Sequence, residues 1–341
     1  MTATLSILIY HRVLARSDPL FPGEVDAALF ERQLRLLKRF YAPLPLAEAV
    51  QRLQDGSLPA RAACITFDDG YADNAQVALP LLLKHGLHAT FFIATGYLDG
   101  GRMWNDAVIE GVRHAPGPRL DLRELGLDRL PVASLAQRQT AIATLLGQLK
   151  YLPFAQRQQL ARHIGRQAGA TAGPPAMLST AQLRQLQAAG MGLGAHTASH
   201  PILATLSDGA ARRDIAHGKR QLESLIQAPV TLFAYPNGKA GRDYGASHVA
   251  MVRSLGFTAA VATDWGVARP GAGLDLLQLP RFTPWDRGRL AFLWRLRQNR
   301  RPARPAPPGD GCATVPASSA ATPWCRGRPG AAPAAGTAGR R

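Results

Sequence analysis

The sequence predicts an α/β fold with parallel strands, on three observations. Short apolar runs rich in Ile, Val, Phe and Thr recur along the chain, helix-like stretches fall between them, and ionisable or aromatic residues stand directly after the runs. The runs lie at 5–10, 62–67, 89–95, 191–195, 230–235, 257–262 and 275–280. Each is strand-length and near-continuously apolar, as strands buried on both faces are. Seven of them fit a distorted (β/α)7-type barrel, with an open doubly wound sheet as the competing arrangement.

Taken in order, the first run follows an N-terminus with no basic n-region. Its apolar stretch of about six residues is too short for the core of a signal peptide, so it reads as a strand of a cytoplasmic chain with no signal peptide. Asp26 can cap a helix whose Phe30, Leu34, Leu37 and Tyr41 share one face. Cys64, inside the second run, reads as a buried core thiol, and three cysteines make no disulfide framework.

The segment 100–178 breaks the rhythm. It is long, polar and helix-prone, and it reads as a strand-free helical insertion between the third and fourth strands. Its two helices are expected at 134–149, capped by Ser134, and at 154–167, where they would form a lid or side wall over the mouth. Ser179-Thr180-Ala181-Gln182 then has the form of a capping box, with Gly190 placed as a C-cap. Further helices are expected over 208–226, before Pro229, and over 243–255, before Gly256.

The formal charge is +17, but residues 287–341 hold 11 Arg against one acid, Asp310. The excess is thus concentrated outside the expected barrel region, 1–286. No motif of a specific nucleic-acid binder accompanies it, and no apolar run approaches the length of a membrane span. Residues 287–301 read as a basic terminal helix. The stretch 287–304 also holds Leu290, Phe292, Leu293, Trp294 and Leu296, so a peripheral contact with an anionic membrane is the alternative to a solvated closing helix. Of residues 302–341, 25 of 40 are Ala, Pro or Gly, which reads as a disordered tail. The oligomeric state is not legible.

In a (β/α) barrel the chemistry gathers at the C-terminal ends of the strands. His11, Asp68-Asp69-Gly70, His196 with His200, Tyr235-Pro236-Asn237-Gly238, Asp264-Trp265 and Arg281 all follow runs in this way. Asp68 and Asp69 read either as a helix N-cap or as a pair in which one carboxylate binds a cation while its neighbour acts as base. His196 and His200 have HxxxH spacing, but Pro201 stops a helix, so a loop must present both rings. Two satisfied or exposed histidines are the plainer reading. Together with Asp68 and Asp69 they make an open two-His, one-carboxylate site, which suits catalytic Zn2+ and equally non-haem Fe(II).

At these residues the chain resembles the polysaccharide deacetylase family, carbohydrate esterase family four, with its NodB homology domain. Thr66-Phe67-Asp68-Asp69-Gly70 is similar to the family's first motif, and His196-Thr197-Ala198-Ser199-His200 to its second. The resemblance implies a metal-dependent hydrolase that removes N-acetyl groups from a GlcNAc-type polysaccharide, oligosaccharide or lipid-linked saccharide. It implies Asp68 as general base, and Asp69, His196 and His200 as ligands of a divalent metal, Zn2+ first, with Ni2+, Co2+ or Fe2+ as alternatives. The later motifs depart from the pattern. Phe233-Ala234-Tyr235-Pro236-Asn237-Gly238 lacks the family's Arg and has Asn for Tyr, leaving the Asn237 backbone amide as oxyanion donor. Leu279-Pro280-Arg281-Phe282 lacks the family's His. Tyr10-His11-Arg12 resembles the Tyr-His segment of the rearranged biofilm-type subgroup, which implies His11 as the general acid. Arg281 is expected to pair with Asp68 in place of the missing Arg, or to be a structural residue. Trp265 is expected to stack on a sugar. A carbohydrate-binding homologue with weak turnover, and an Fe(II) enzyme on the same triad, are the alternatives.

Overall fold

Six parallel strands form from the first six apolar runs, five of them buried throughout and the fourth at two of its four positions. In chain order the elements are β1 (Leu5–Tyr10), α1 (Ala27–Phe40), β2 (Ala42–Pro43), α2 (Leu46–Gln54), β3 (Ala62–Phe67), α3 (Leu79–His85), β4 (Thr90–Ile93), α4 (Trp104–His114), β5 (Arg119–Asp121) and β6 (Arg129–Pro131). They continue with α5 (Leu135–Leu149), α6 (Phe154–Gln167), α7 (Thr180–Ala188), β7 (Gly192–Ala195), α8 (Asp208–Ile226), β8 (Leu232–Ala234), α9 (Ala246–Ser254), β9 (Ala259–Val261) and α10 (Arg289–Asn299). The computed structural model describes residues 3–167, 176–271 and 273–299, all within the compact unit Met1–Pro305. The expected disordered tail, 302–341, and residues 300–301 of the terminal helix lie outside the described residues.

The strands run parallel in the order β1-β3-β4-β7-β8-β9. Residues 279–282 close the curl. Leu279 exchanges hydrogen bonds with Ala260 and Ala262 on one side, and Phe282 with Ile7 and Ile9 on the other. The seventh station of the barrel is therefore filled, which makes the α/β fold a distorted barrel rather than an open sheet. It is not filled by the strand expected over 275–280. The Asp275 carboxylate accepts from Leu277 N at 2.9 Å and from Gln278 Nε2 at 2.8 Å, which folds Leu276–Gln278 into a 3-10 turn. Extended chain resumes only after it.

The helices follow local chemistry. Asp26 accepts from Leu29 N to start α1, and Leu29, Phe30, Leu34 and Leu37 are buried beneath it. Tyr41 is the extended C-cap of that helix. Ser134 and Ser179 both form capping boxes, with Gln137 and Gln182. Gly190 follows α7 with φ 76°, the left-handed conformation expected of a helix terminator.

The insertion is not strand-free. β5 and β6 form an antiparallel hairpin, held by Asp121 to Arg123 and Arg129 at 2.7 Å each. It also contains α4, on which Val108, Ile109 and Val112 are buried. The insertion lies along the loops after β1 and β8. Arg113 pairs with Asp18 at 2.5 Å, and Tyr151 donates to Asp243 at 3.1 Å. No described helix is long and apolar enough to cross a membrane. Cys64 is buried in β3.

Candidate active site

The site is assembled at the C-terminal ends of β1, β3 and β7 and on the closing segment. Apolar β3 delivers Asp68 and Asp69 directly after Phe67. The chain must turn at once, so Asp69 (φ 77°) and Gly70 (φ 87°) both adopt left-handed backbone. For Asp69 this is a strained state. Thr197 (φ 63°), His200 (φ 51°) and Asn237 (φ 60°) share it, so four of the seven described non-glycine residues with positive φ stand at strand ends around this site. Such concentration is characteristic of functional centres.

Asp68 and Arg281 form a buried bidentate pair. Arg281 Nη1 and Nη2 donate to the two carboxylate oxygens at 2.7 Å each. Arg281 is itself fixed by Nε donating to Ala262 O at 2.8 Å and by Thr66 Oγ1 at 3.1 Å. Burial is the largest influence on Asp68 and disfavours its charge, but Arg281, with His196 and His11 behind it, overrides burial and holds the carboxyl below its usual range. Each carboxylate oxygen keeps a second lone pair for a proton.

Asp69, His196 and His200 form the second cluster, with ligand atoms all within 4.8 Å of one another. Asp69 Oδ1 lies 3.4 Å from His196 Nε2 and 3.2 Å from His200 Nε2. That oxygen is buried and accepts no well-formed hydrogen bond. His196 Nδ1 sits 2.8 Å from Ala234 O, to which it donates its proton, so Nε2 is turned towards Asp69. Burial weighs most on this ring and disfavours its charge, but Asp68 and Asp69 override it and raise its pKa. Burial pushes the His200 ring down to about 3, so it is neutral at ordinary pH. Two imidazole nitrogens and an unsatisfied carboxylate oxygen converging on one point make a donor set that a divalent cation satisfies. This is the expected trio, and the residues fit such an ion.

The loop carrying His200 is held from three sides. The Asp214 carboxylate on α8 accepts from Ala198 N and Ser199 N at 3.2 Å each and from Ser199 Oγ at 2.7 Å. Tyr97 donates to Ser199 O at 2.9 Å, and Arg157 of the insertion to His200 O at 3.4 Å. Gly218 lets α8 approach so closely that a Cβ there would lie 2.4 Å from Thr197 C. Sequence reading missed Asp214, Tyr97 and Arg157, because each looks like an ordinary helix or turn residue. Gly218, isolated in the middle of a helix, was the one available signal.

Of the remaining expected residues, His11 is exposed at the end of β1, near enough to both carboxylates to favour their ionised forms. Asn74 Nδ2 holds its carbonyl at 3.0 Å. Trp265 is 46% exposed after β9, its ring 5.6 Å from that of Phe282. Asn237 lies in the turn three residues after β8, and its carbonyl accepts from Thr263 Oγ1 at 2.6 Å. Arg281 is a pairing residue sealed in the barrel wall and is 0% exposed, which takes it away from direct substrate contact.

Comparison with known proteins agrees with this geometry. The polysaccharide deacetylase family model matches residues 55–115 and 134–260. The chain belongs to the polysaccharide deacetylase family, and by that membership it is a hydrolase of the deacetylase class. It is similar to IcaB of Ammonifex degensii, at 20% identity over 86% of this chain and 97% of that one, with a TM-score of 0.57. It is also similar to the deacetylase PplD of Streptococcus pyogenes, at 21% identity over 83% of this chain and 93% of that one, with a TM-score of 0.55. YxkH of Bacillus subtilis (strain 168), a provisionally assigned polysaccharide deacetylase, is 21% identical over 83% of this chain and 72% of its own length.

Proposed function

We propose that this protein removes N-acetyl groups from a GlcNAc-type saccharide with the help of a divalent metal, Zn2+ being the ion that two imidazoles and one carboxylate suit best. The observation that carries the proposal is the pairing of two differently tuned carboxylates on one turn. Asp69 faces His196 and His200 with an unsatisfied oxygen, while Asp68 is kept ionised by Arg281. Asp69, His196 and His200 would hold the ion, which when bound acidifies a water and polarises an amide carbonyl. Asp68 accepts the proton of the attacking water. The backbone N–H of Asn237 donates to the oxyanion that develops on the acetamide. His11 protonates the departing amine. Trp265 offers an exposed ring on which a sugar can stack. PplD, solved with acetate, shares this fold and lends support to an acetyl-releasing reaction.

The test is acetate release from N-acetylglucosamine oligomers, with and without chelator. Chelation should abolish release, and Zn2+ should restore it. Asp68→Asn should bind metal normally yet lose at least about a thousandfold in kcat, given what acid–base groups contribute. His11→Ala should lower kcat about a hundredfold or more. An active Asp68→Asn enzyme would overturn the mechanism.

A further inference from the structure

Helix α10 is apolar on two opposite faces. Phe292 and Leu296, one turn apart, are buried against the barrel. Leu290 and Trp294, at the same spacing on the other side, face outward, 84% and 60% exposed. Trp285 and Trp265 are exposed as well, at 40% and 46%. The Arg295 guanidinium lies between them, 5.6 Å from the Trp265 ring and 5.8 Å from the Trp285 ring. Four of the eight exposed large apolar side chains among the described residues therefore gather on 265–294, more than scattered surface residues would.

The charges around the patch divide into two sets. Arg287 is paired with Asp26, and Arg295 with Asp286. Arg289 and Arg297, both exposed, have no carboxylate within ion-pair distance among the described residues. By sequence, Arg300, Arg301 and Arg304 follow.

We propose that this face docks on an anionic lipid bilayer. A second copy of the chain would bring like charge against like. The chain's own 302–341 carries only Val315 and Trp324 as large apolar residues, and its arginines outnumber its single acid, so it complements neither the apolar nor the charged part. A bilayer with acidic headgroups complements both. Trp and Leu enter the boundary of headgroups and acyl chains, and free arginines meet the phosphates. Asn299, on the buried side of α10, donates to Gly266 O at 2.8 Å, next to Trp265 in the loop after β9, so the helix that carries the outward face is anchored beside the barrel mouth. Resting on the proposed deacetylase reading, this assigns a substrate carried at the membrane surface, such as a lipid-linked saccharide.

The test is co-sedimentation of the full chain with phosphatidylcholine vesicles, with and without about one-third phosphatidylglycerol. Binding should need the anionic lipid and fall steeply as salt rises. Leu290→Ala with Trp294→Ala should weaken it at least tenfold without shifting the melting temperature. Arg289→Gln with Arg297→Gln should weaken it severalfold and flatten the salt dependence. Absence of binding would overturn the proposal. So would binding unchanged in the Leu290/Trp294 variant, which would assign attachment to residues beyond 299. Self-association abolished by that same variant would assign the face to a second copy and also overturn it. Vesicle binding is read without any activity, so a failure of the deacetylase reading leaves this result intact.

Discussion

At the scale of single residues, the site depends on setting two adjacent carboxylates apart. Asp68 and Asp69 are both buried, yet one is neutralised by a bidentate guanidinium and the other is left facing two imidazoles. Arg281 decides the first. The sign follows from its effect on Asp68. Because the folded carboxyl lies below its usual value, the pair's stabilisation is present above the unfolded pKa of about 3.9 and is lost as pH falls through the folded value. In Arg281→Met, burial acts on Asp68 with only His196 and His11 against it, and its pKa rises. The acid limb of kcat/KM should then move at least about one unit towards neutral. A lone buried carboxylate also costs about 3–5 kcal/mol of stability. The double variant Asp68→Asn/Arg281→Met, which buries neither charge, should recover much of that stability while remaining inactive. Urea titration and a pH–rate profile read the two effects separately. An acid limb unmoved in Arg281→Met would mean that Arg281 does not set the state of the base. This pair was legible in the sequence only as an expectation, since nothing in spacing alone brings residue 281 to residue 68. The barrel's closure by 279–282 does so.

At the scale of elements, the five-residue loop after β7 carries two of the three proposed metal ligands, and α8 sets its shape. The Asp214 carboxylate takes three donors from Ala198 and Ser199, fixing the loop between His196 and His200. Asp214→Ala should therefore weaken metal affinity about 10–100-fold, as loss of outer-shell partners does, read by calorimetric titration of the metal-free protein. Gly218→Ala should do the same by another route, because its Cβ would meet the loop backbone. Undiminished affinity in both variants would show that the loop holds its shape without α8. None of this support was visible in sequence, where Asp214 is one more charge on an amphipathic helix. The strands were visible, because β1, β3 and β4 are continuous apolar runs buried at every position. The β5–β6 hairpin was not, because its strands are three residues long and largely exposed, and arginine–aspartate pairs rather than an apolar pattern hold it. Helix α4 was missed because Met103 precedes it where a capping residue would signal a start, and Gly111 interrupts its pattern. The run at 275–280 misled because an apolar stretch of that length cannot by itself reveal the Asp275 cap that coils it.

At the scale of the whole molecule, the proposed metal ligands come from two strands about 130 residues apart in sequence and separated in the barrel only by β4. The unfolded chain has no such site, so an ion that binds the trio binds the folded state alone and stabilises the barrel by mass action. At about a hundredfold excess over Kd the linkage relation gives about 2.7 kcal/mol. A chain of this size should then melt roughly 5 °C higher with the ion than after chelation. His200→Ala should abolish the difference, since it removes a ligand from the loop, whereas Asp68→Asn should preserve it, since Asp68 belongs to the Arg281 pair. Calorimetric melting of the three proteins, each with Zn2+ and with chelator, tests the assignment of the two carboxylates without recourse to activity. A metal-dependent shift that survives in His200→Ala but disappears in Asp68→Asn would exchange the roles of Asp68 and Asp69, and the proposed mechanism would fall with that exchange.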